Sequence, residues 1–204
     1  MNRTITITEG LAELKLLDAR INKAIEVDWV SVVKTKDLTD DFKKKDKTRI
    51  TAAYKKVTDL IAERNAIKAA IVASNAKTIV RIGGREMTVA EALEHKSGIQ
   101  YEKNLLAAWK RQFSNATEYI KQQNNAIQTR LDVMIGQIAA GDKPDIAAAQ
   151  KALSEEYIKA NGIETYDPLD LKKKIEELDE RIDTFEASVD IVLSVSNAIT
   201  TIEI

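Results

Sequence analysis

A mainly α-helical fold follows from three features of this sequence: long apolar seams at helical spacing, few helix breakers, and short β-branched runs at the helix ends. Among 204 residues there are 7 Gly and 2 Pro, with 31% charged and 5% aromatic residues. That mixture, rich in Ala, Lys, Glu, Ile and Leu, favours long helices over a β-sandwich. The expected architecture is long antiparallel helical hairpins, bundle- or coiled-coil-like, with a small four-stranded β-element. One domain is expected over 1–204.

The chain opens on Thr-Ile-Thr-Ile within 3–7, a short alternating strand. Thr6 and Glu9 have capping-box spacing, which places a helix start near Thr6–Thr8. Leu14, Leu17, Ile21 and Ala24 line one face of that helix, which ends near Ile25. Residues 26–47 then read as a loop or arm, apolar at Trp29, Val30, Val32 and Val33 and polar from Lys34 to Lys47. A second helix follows from about Thr48 to Ser74, seamed by Ile50, Ala53, Val57, Leu60, Ile67 and Ile71. Arg64 sits on that seam and is expected to snorkel.

Two β-branched runs, Thr78–Ile82 and Arg85–Val89, flank Gly83-Gly84. A two-residue Gly-Gly loop suits a β-hairpin because such turns need positive φ. The pair is a structural turn, since it lacks the spacing of a phosphate-binding loop and leads into a strand. Thr88 and Glu91 repeat the capping box, and a break is expected at Ser97-Gly98. Beyond it one seam runs through Ile99, Leu106, Trp109, Phe113, Ala116, Ile120, Ile127, Leu131, Met134 and Ile138. Gln123 and Asn124 stand where one apolar layer is missing. So long a helix needs cover from a partner hairpin or another subunit.

Gly141-Asp142-Lys143-Pro144 ends that helix, and a short one is expected over about Asp145–Ala160. Asn161-Gly162 and Tyr166-Asp167-Pro168 frame a turn. The last helix carries the cleanest heptad, Leu171, Ile175, Leu178, Ile182, Phe185, Val189 and Val192, before a final strand over Ile199–Ile204.

Two pairs of segments match. Ser74-Asn75-Ala76-Lys77-Thr78 parallels Ser196-Asn197-Ala198-Ile199-Thr200, each between a helix and a strand. Thr6-Ile7-Thr8-Glu9-Gly10-Leu11 parallels Thr88-Val89-Ala90-Glu91-Ala92-Leu93 at the strand-to-helix entries. The chain therefore reads as two strand–helix–helix–strand repeats, 3–82 and 85–204. Each Asn suits a left-handed helix end.

Chemical equipment is sparse. No Cys removes disulfides, thiolate nucleophiles and Cys-based zinc sites, and the single His leaves no triad in view. Glu91 and His95 make one i, i+4 carboxylate–imidazole pair, short of the two Glu-x-x-His motifs of a di-iron bundle. His95 reads instead as an exposed residue near a helix end. Glu155-Glu156 and Glu176-Glu177 are adjacent and so face different sides of a helix. Lys43-Lys44-Lys45 is surrounded by Asp40, Asp41 and Asp46, and the formal net charge is −1. No catalytic residue, cofactor, metal or nucleic-acid partner is expected.

No signal peptide or membrane contact is expected either. No apolar run, Ile191–Val195 broken by Ser194 among them, approaches the ~20 residues of a membrane span. Trp109 and Phe113, on the long seam, are candidates for core or interface. Trp29, Val30, Val32 and Val33 either dock into a neighbouring subunit or fold back over the chain's own core.

The run NAKTIVRIGGREMTVAEAL, and the closing DPLDLKKKIEELDERIDTFEASVDIVLSVSNAITTIEI, resemble structural-region proteins of large contractile-tailed phages of Gram-positive bacteria. The helix–SNAxT–Gly–EAL order is distantly similar to the septicolysin-like family of bacterial helical proteins. The resemblance implies a non-enzymatic structural or assembly protein, a virion component or accessory made in the host cytoplasm. Its partners would be further copies of itself or other virion proteins. The alternative is a bacterial cytosolic oligomeric binding module.

Overall fold

The computed structural model describes residues 3–138 and 145–204. The expected turn at Gly141-Asp142-Lys143-Pro144 lies outside them, as does the side chain of Ile138. In chain order the described elements are β1 (Thr4–Thr6), α1 (Ile7–Ile25), α2 (Asp40–Asn75), β2 (Ile79–Ile82) and β3 (Arg85–Thr88). They continue with α3 (Val89–Ile138), α4 (Asp145–Asn161), α5 (Leu171–Ile199) and β4 (Thr201–Glu203). The fold is mainly α, as the composition implies. Contacts divide it into two compact units, Met1–Ser97 with Thr184–Ile204, and Gly98–Asp183. The boundaries between the units fall within α3 and α5.

In the first unit, α1 starts where the capping box places it. The Thr6 hydroxyl accepts from the Glu9 N–H at 3.2 Å, and the Glu9 carboxylate accepts from the Thr6 N–H at 2.8 Å. Two otherwise unsatisfied amides are thereby met. The buried positions Ile7, Gly10, Leu14, Leu17 and Ile21 recur at three and four residues, so one stripe faces inward. Ile7, Leu14 and Leu17 form a core with Ile67 and Ile71 of α2 and Ile202 of β4. Each such side chain contributes about 1.5–3 kcal/mol by leaving water. Gly10 is small for a reason: a Cβ there would lie 3.3 Å from Ile71 Cδ1 and 3.5 Å from Ile202 Cδ1.

The four strands are present, but they do not form the expected four-stranded β-element. They make two separate antiparallel pairs, β1 with β4 and β2 with β3. Ile5 lies opposite Ile202 in one pair and Val80 opposite Met87 in the other. Strands of three or four residues that run straight into helices leave little edge for a further partner. Their apolar residues Val80, Ile82 and Ile202 are buried by packing instead. Gly83 and Gly84, at φ 56° and 79°, make the hairpin turn as read.

Corresponding backbone bonds close the two pairs. Ile7 N–H donates to Thr200 O, and Val89 N–H to Thr78 O, both at 2.9 Å. The exits also correspond, with Thr78 N–H donating to Ser74 O and Thr200 N–H to Ser196 O, again at 2.9 Å. Neither Asn75 nor Asn197 adopts the left-handed conformation expected of it, since Asp170 alone among described non-glycine residues has positive φ. The Ser74 carbonyl also accepts from Lys77 N–H and the Thr78 hydroxyl, so the end of α2 is satisfied without a left-handed residue.

Two helix boundaries and one buried series depart from expectation. Helix α2 begins at Asp40, so Lys43-Lys44-Lys45 is helical and the link shortens to 26–39, with a 3-10 turn at Thr35–Asp37. Thr39 supplies the cap, accepting from the Phe42 N–H at 3.2 Å, and Asp40 and Asp41 favour the positive end of the helix dipole. No break occurs at Ser97-Gly98: α3 runs on, with the Ser97 hydroxyl donating to Glu94 O at 2.8 Å. A lone glycine costs a helix only about 1 kcal/mol. On α5 the buried series passes from Val189 to Leu193 rather than Val192, continuing the four-residue step.

In the second unit, Leu106, Leu131, Leu178 and Ile182 are buried. Lys110 pairs with Asp179 at 2.7 Å and Glu102 with Arg181 at 3.1 Å, fixing α3 and α5 as antiparallel neighbours there. The exposed ends of these pairs make each worth at most about 1 kcal/mol.

Candidate functional site

The link after α1 carries the four apolar residues expected either to dock into a neighbour or to fold back over the core, and the structure divides them. Trp29 and Val33 are half-buried, whereas Val30 is 78% and Val32 96% exposed. Trp29 folds back, its indole N–H donating to the Ile25 carbonyl at 3.0 Å and satisfying an acceptor at the end of α1. Arg49 clamps the link to α2. Its guanidinium donates to the Asp28 carbonyl at 3.1 Å, the Ser31 hydroxyl at 3.3 Å and Asp46 Oδ1 at 2.7 Å. Arg49, then Ser31, hold the Asp46 carboxyl below its ordinary value. Val30 and Val32 are thus carried outward on a segment with a fixed anchor. Sequence reading missed Arg49, whose only local signal is its spacing of three from Asp46.

Trp109 and Phe113 of α3 are half-buried, and Asn124 explains the missing layer of that seam. Its carboxamide accepts from the Ile163 N–H at 3.1 Å and donates to the Ile163 carbonyl at 3.0 Å. The connection from α4 to α5 is braced at its other end by Asp167, whose carboxylate accepts from Leu169 N–H at 3.2 Å and Leu171 N–H at 2.6 Å. Between these braces Tyr166 is 90% and Leu169 62% exposed.

A cleft of about 560 Å³ opens beside the end of α1, against α2. Its apolar floor includes Ala24, Ala53 and Leu60, and its rim carries Arg20, Lys23 and Lys56. None of the three cations has an ion-pair partner among the described residues. A second cavity, about 740 Å³, lies in the other unit against Asn124, Ile158 and Ile163. The basic rim was not singled out in the sequence because its members come from two helices.

The Glu91 carboxylate accepts from the Thr88 N–H at 2.7 Å and hydroxyl at 3.0 Å, which hold its pKa below the ordinary value. His95 is not the exposed residue expected: it is half-buried, with its ring centroid 4.1 Å from that of buried Phe185. The helical repeat brings His95 round to the α5 side of α3, where the ring gains an aromatic contact. No group of three His, Asp or Glu residues gathers as metal ligands among the described residues. Glu177 is engaged by Lys173 and Lys174. Lys43 and Lys45 pair with Asp40 and Asp41 along α2, so the lysine run is locally neutralised. No helix among the described residues is long and apolar enough to cross a membrane.

Comparison with family models, with curated proteins and with solved structures finds no match to this chain.

Proposed function

We propose that this chain is a non-enzymatic structural or assembly protein, a phage virion component or accessory, acting through oligomerisation and protein–protein contacts. The observation that carries the reading is that large apolar side chains are held outward on anchored segments. Val30 and Val32 ride on the Arg49 clamp, and Tyr166 and Leu169 stand between the Asn124 and Asp167 braces. Ordering an exposed apolar residue costs conformational entropy with no return in a lone monomer, while a partner recovers it by burial. The resemblance of the Asn75–Leu93 and Asp167–Ile204 segments to phage structural-region proteins supplies the setting.

The proposal includes long helical hairpins and an internal duplication of 3–82 and 85–204. Support comes from the paired bonds: two capping boxes at Thr6 and Thr88, two strand closures at Ile7 and Val89, and two helix exits at Ser74 and Ser196. Gly10 and Ala92, the small residues three positions into each entry helix, are both buried. Mass spectrometry of purified virions from a phage encoding this chain tests the function. A stoichiometric signal supports a virion component, and a signal confined to the lysate supports an accessory role. Absence of any phage association together with a tightly bound cellular metabolite would replace the reading by a cellular binding module.

A further inference from the structure

We propose that the basic cleft beside α1 and α2 receives the acidic loop between α4 and α5 of a second copy of this chain. The inference rests on the assembly reading and deepens it by naming the two surfaces that meet. Three cations, Arg20, Lys23 and Lys56, rim the cleft without a counterion among the described residues. Their mutual repulsion is relieved by incoming carboxylates. The floor at Ala24, Ala53 and Leu60 is apolar, so a simple anion would leave it wet. The fitting occupant carries acidic and apolar groups together.

The loop after α4 has that make-up. From Gly162 to Leu171 the sequence is GIETYDPLDL, with three carboxylates and no Lys or Arg. Tyr166 and Leu169 offer exposed apolar surface to the floor, and Glu164 and Asp170 offer carboxylates to the rim. Asp167 is already committed to the Leu169 and Leu171 amides. The loop is also shaped in advance: Asn124 grips Ile163, Pro168 fixes one φ, and Asp170 holds φ at 52°. Preorganisation lowers the entropy lost on docking. Cleft and loop are different surfaces, so the contact is either reciprocated in a two-fold dimer or propagated into a ring or filament.

The test is sedimentation of the full chain over a concentration series, at about 0.05 M and about 0.5 M salt. The wild type is expected to exceed its monomer mass of 22.7 kDa as concentration rises, and less so at high salt. Arg20→Glu with Lys56→Glu, and separately Glu164→Lys with Asp170→Lys, should each weaken self-association by roughly a hundredfold or more. These are exposed or rim positions, and circular dichroism verifies that both variants fold. Mixing the two double variants should restore association between them, since each then presents the complement of the other.

A wild type monomeric at every concentration overturns the inference. So does self-association that neither double variant weakens; assembly then uses another surface, and the assembly reading stands. A mixture that fails to associate also overturns it, as does a monomer whose melting temperature falls with either double variant and recovers when all four substitutions are combined. That last outcome would mean the chain's own loop occupies the cleft.

Discussion

The Asn124 carboxamide grips both backbone groups of Ile163, accepting from its N–H at 3.1 Å and donating to its carbonyl at 3.0 Å. A polar residue at an apolar seam position is therefore a connector between α3 and the segment that follows α4. Leucine, which the seam pattern calls for, would leave both groups to water. Because Asn124 is exposed, water replaces part of what is lost, and Asn124→Leu should cost about 1 kcal/mol rather than the several of a buried orphan. Urea titration measures the cost, and faster exchange of the Ile163 amide locates it. An Asn124→Leu protein more stable than wild type would show that the missing layer, not the bracket, dominates.

The capping boxes make a matched pair of tests. Thr6→Ala and Thr88→Ala should each lower stability by about 1 kcal/mol, as loss of a side-chain N-cap does elsewhere. Their glutamates add a pH dependence of known sign. The Thr6 and Thr88 backbone N–H groups, with their hydroxyls second, hold Glu9 and Glu91 below their ordinary 4.5. A carboxyl depressed by folding stabilises the fold above its unfolded value, and that contribution disappears as pH falls through the folded value. Stability should thus fall on the acid side of about pH 4.5 and stay level, for these groups, above it. Glu9→Gln with Glu91→Gln keeps a capping-box residue without a charge, so the acid slope measured by urea midpoints should flatten.

How much of this was legible follows from the range over which each feature acts. Thr6 with Glu9, Thr88 with Glu91 and Gly83-Gly84 are local, and the elements they start or turn lie where the sequence puts them. Strand pairing is not local: nothing in residues 4–6 or 201–203 says that they pair only with each other. The helical state of Asp40–Lys47 was hidden because interleaved Lys and Asp resemble a solvated loop as much as a helix of i, i+3 and i, i+4 pairs. Thr39, the cap that decides between them, went unread. The Arg49 clamp and the basic cleft depend on side chains from two elements meeting, which a one-dimensional pattern does not show.

The hairpin turn gives a backbone test. Both central residues have positive φ, which costs a residue with a Cβ about 1–2 kcal/mol. A Cβ added at Gly84 would meet nothing within 4 Å, so Gly84→Ala isolates this backbone term. Gly84→Asn should lose less, because Asn visits this region more readily. At Gly83 a Cβ would rest 3.4 Å from Thr184 Cγ2, ordinary contact, so Gly83→Ala should cost no more than Gly84→Ala. Thermal unfolding of the three variants checks the order. An alanine variant as stable as wild type would mean the turn reshapes freely.

His95 and Phe185 give the last test, because their contact changes what removal of the only histidine should do. An exposed histidine away from caps and cores could be replaced at less than about 0.5 kcal/mol. The ring of His95 instead lies 4.1 Å, centroid to centroid, from Phe185, which is 4% exposed. Aromatic pairs add about 0.5–1.5 kcal/mol beyond area burial, so His95→Ala should destabilise by about 1 kcal/mol. Phe185→Ala removes a buried ring and should cost about 3–5 kcal/mol. In a double-mutant cycle the two losses should sum to more than the double variant shows, because both count the shared contact. His95→Phe keeps a ring against Phe185 while discarding both imidazole nitrogens, so the share of the loss it recovers is the share that the ring contact carries. Recovery assigns His95 to packing. A His95→Phe protein as unstable as His95→Ala, with a wild-type melting temperature that falls on dialysis against chelator, would assign it to a metal, since a bound ion stabilises the native state by mass action.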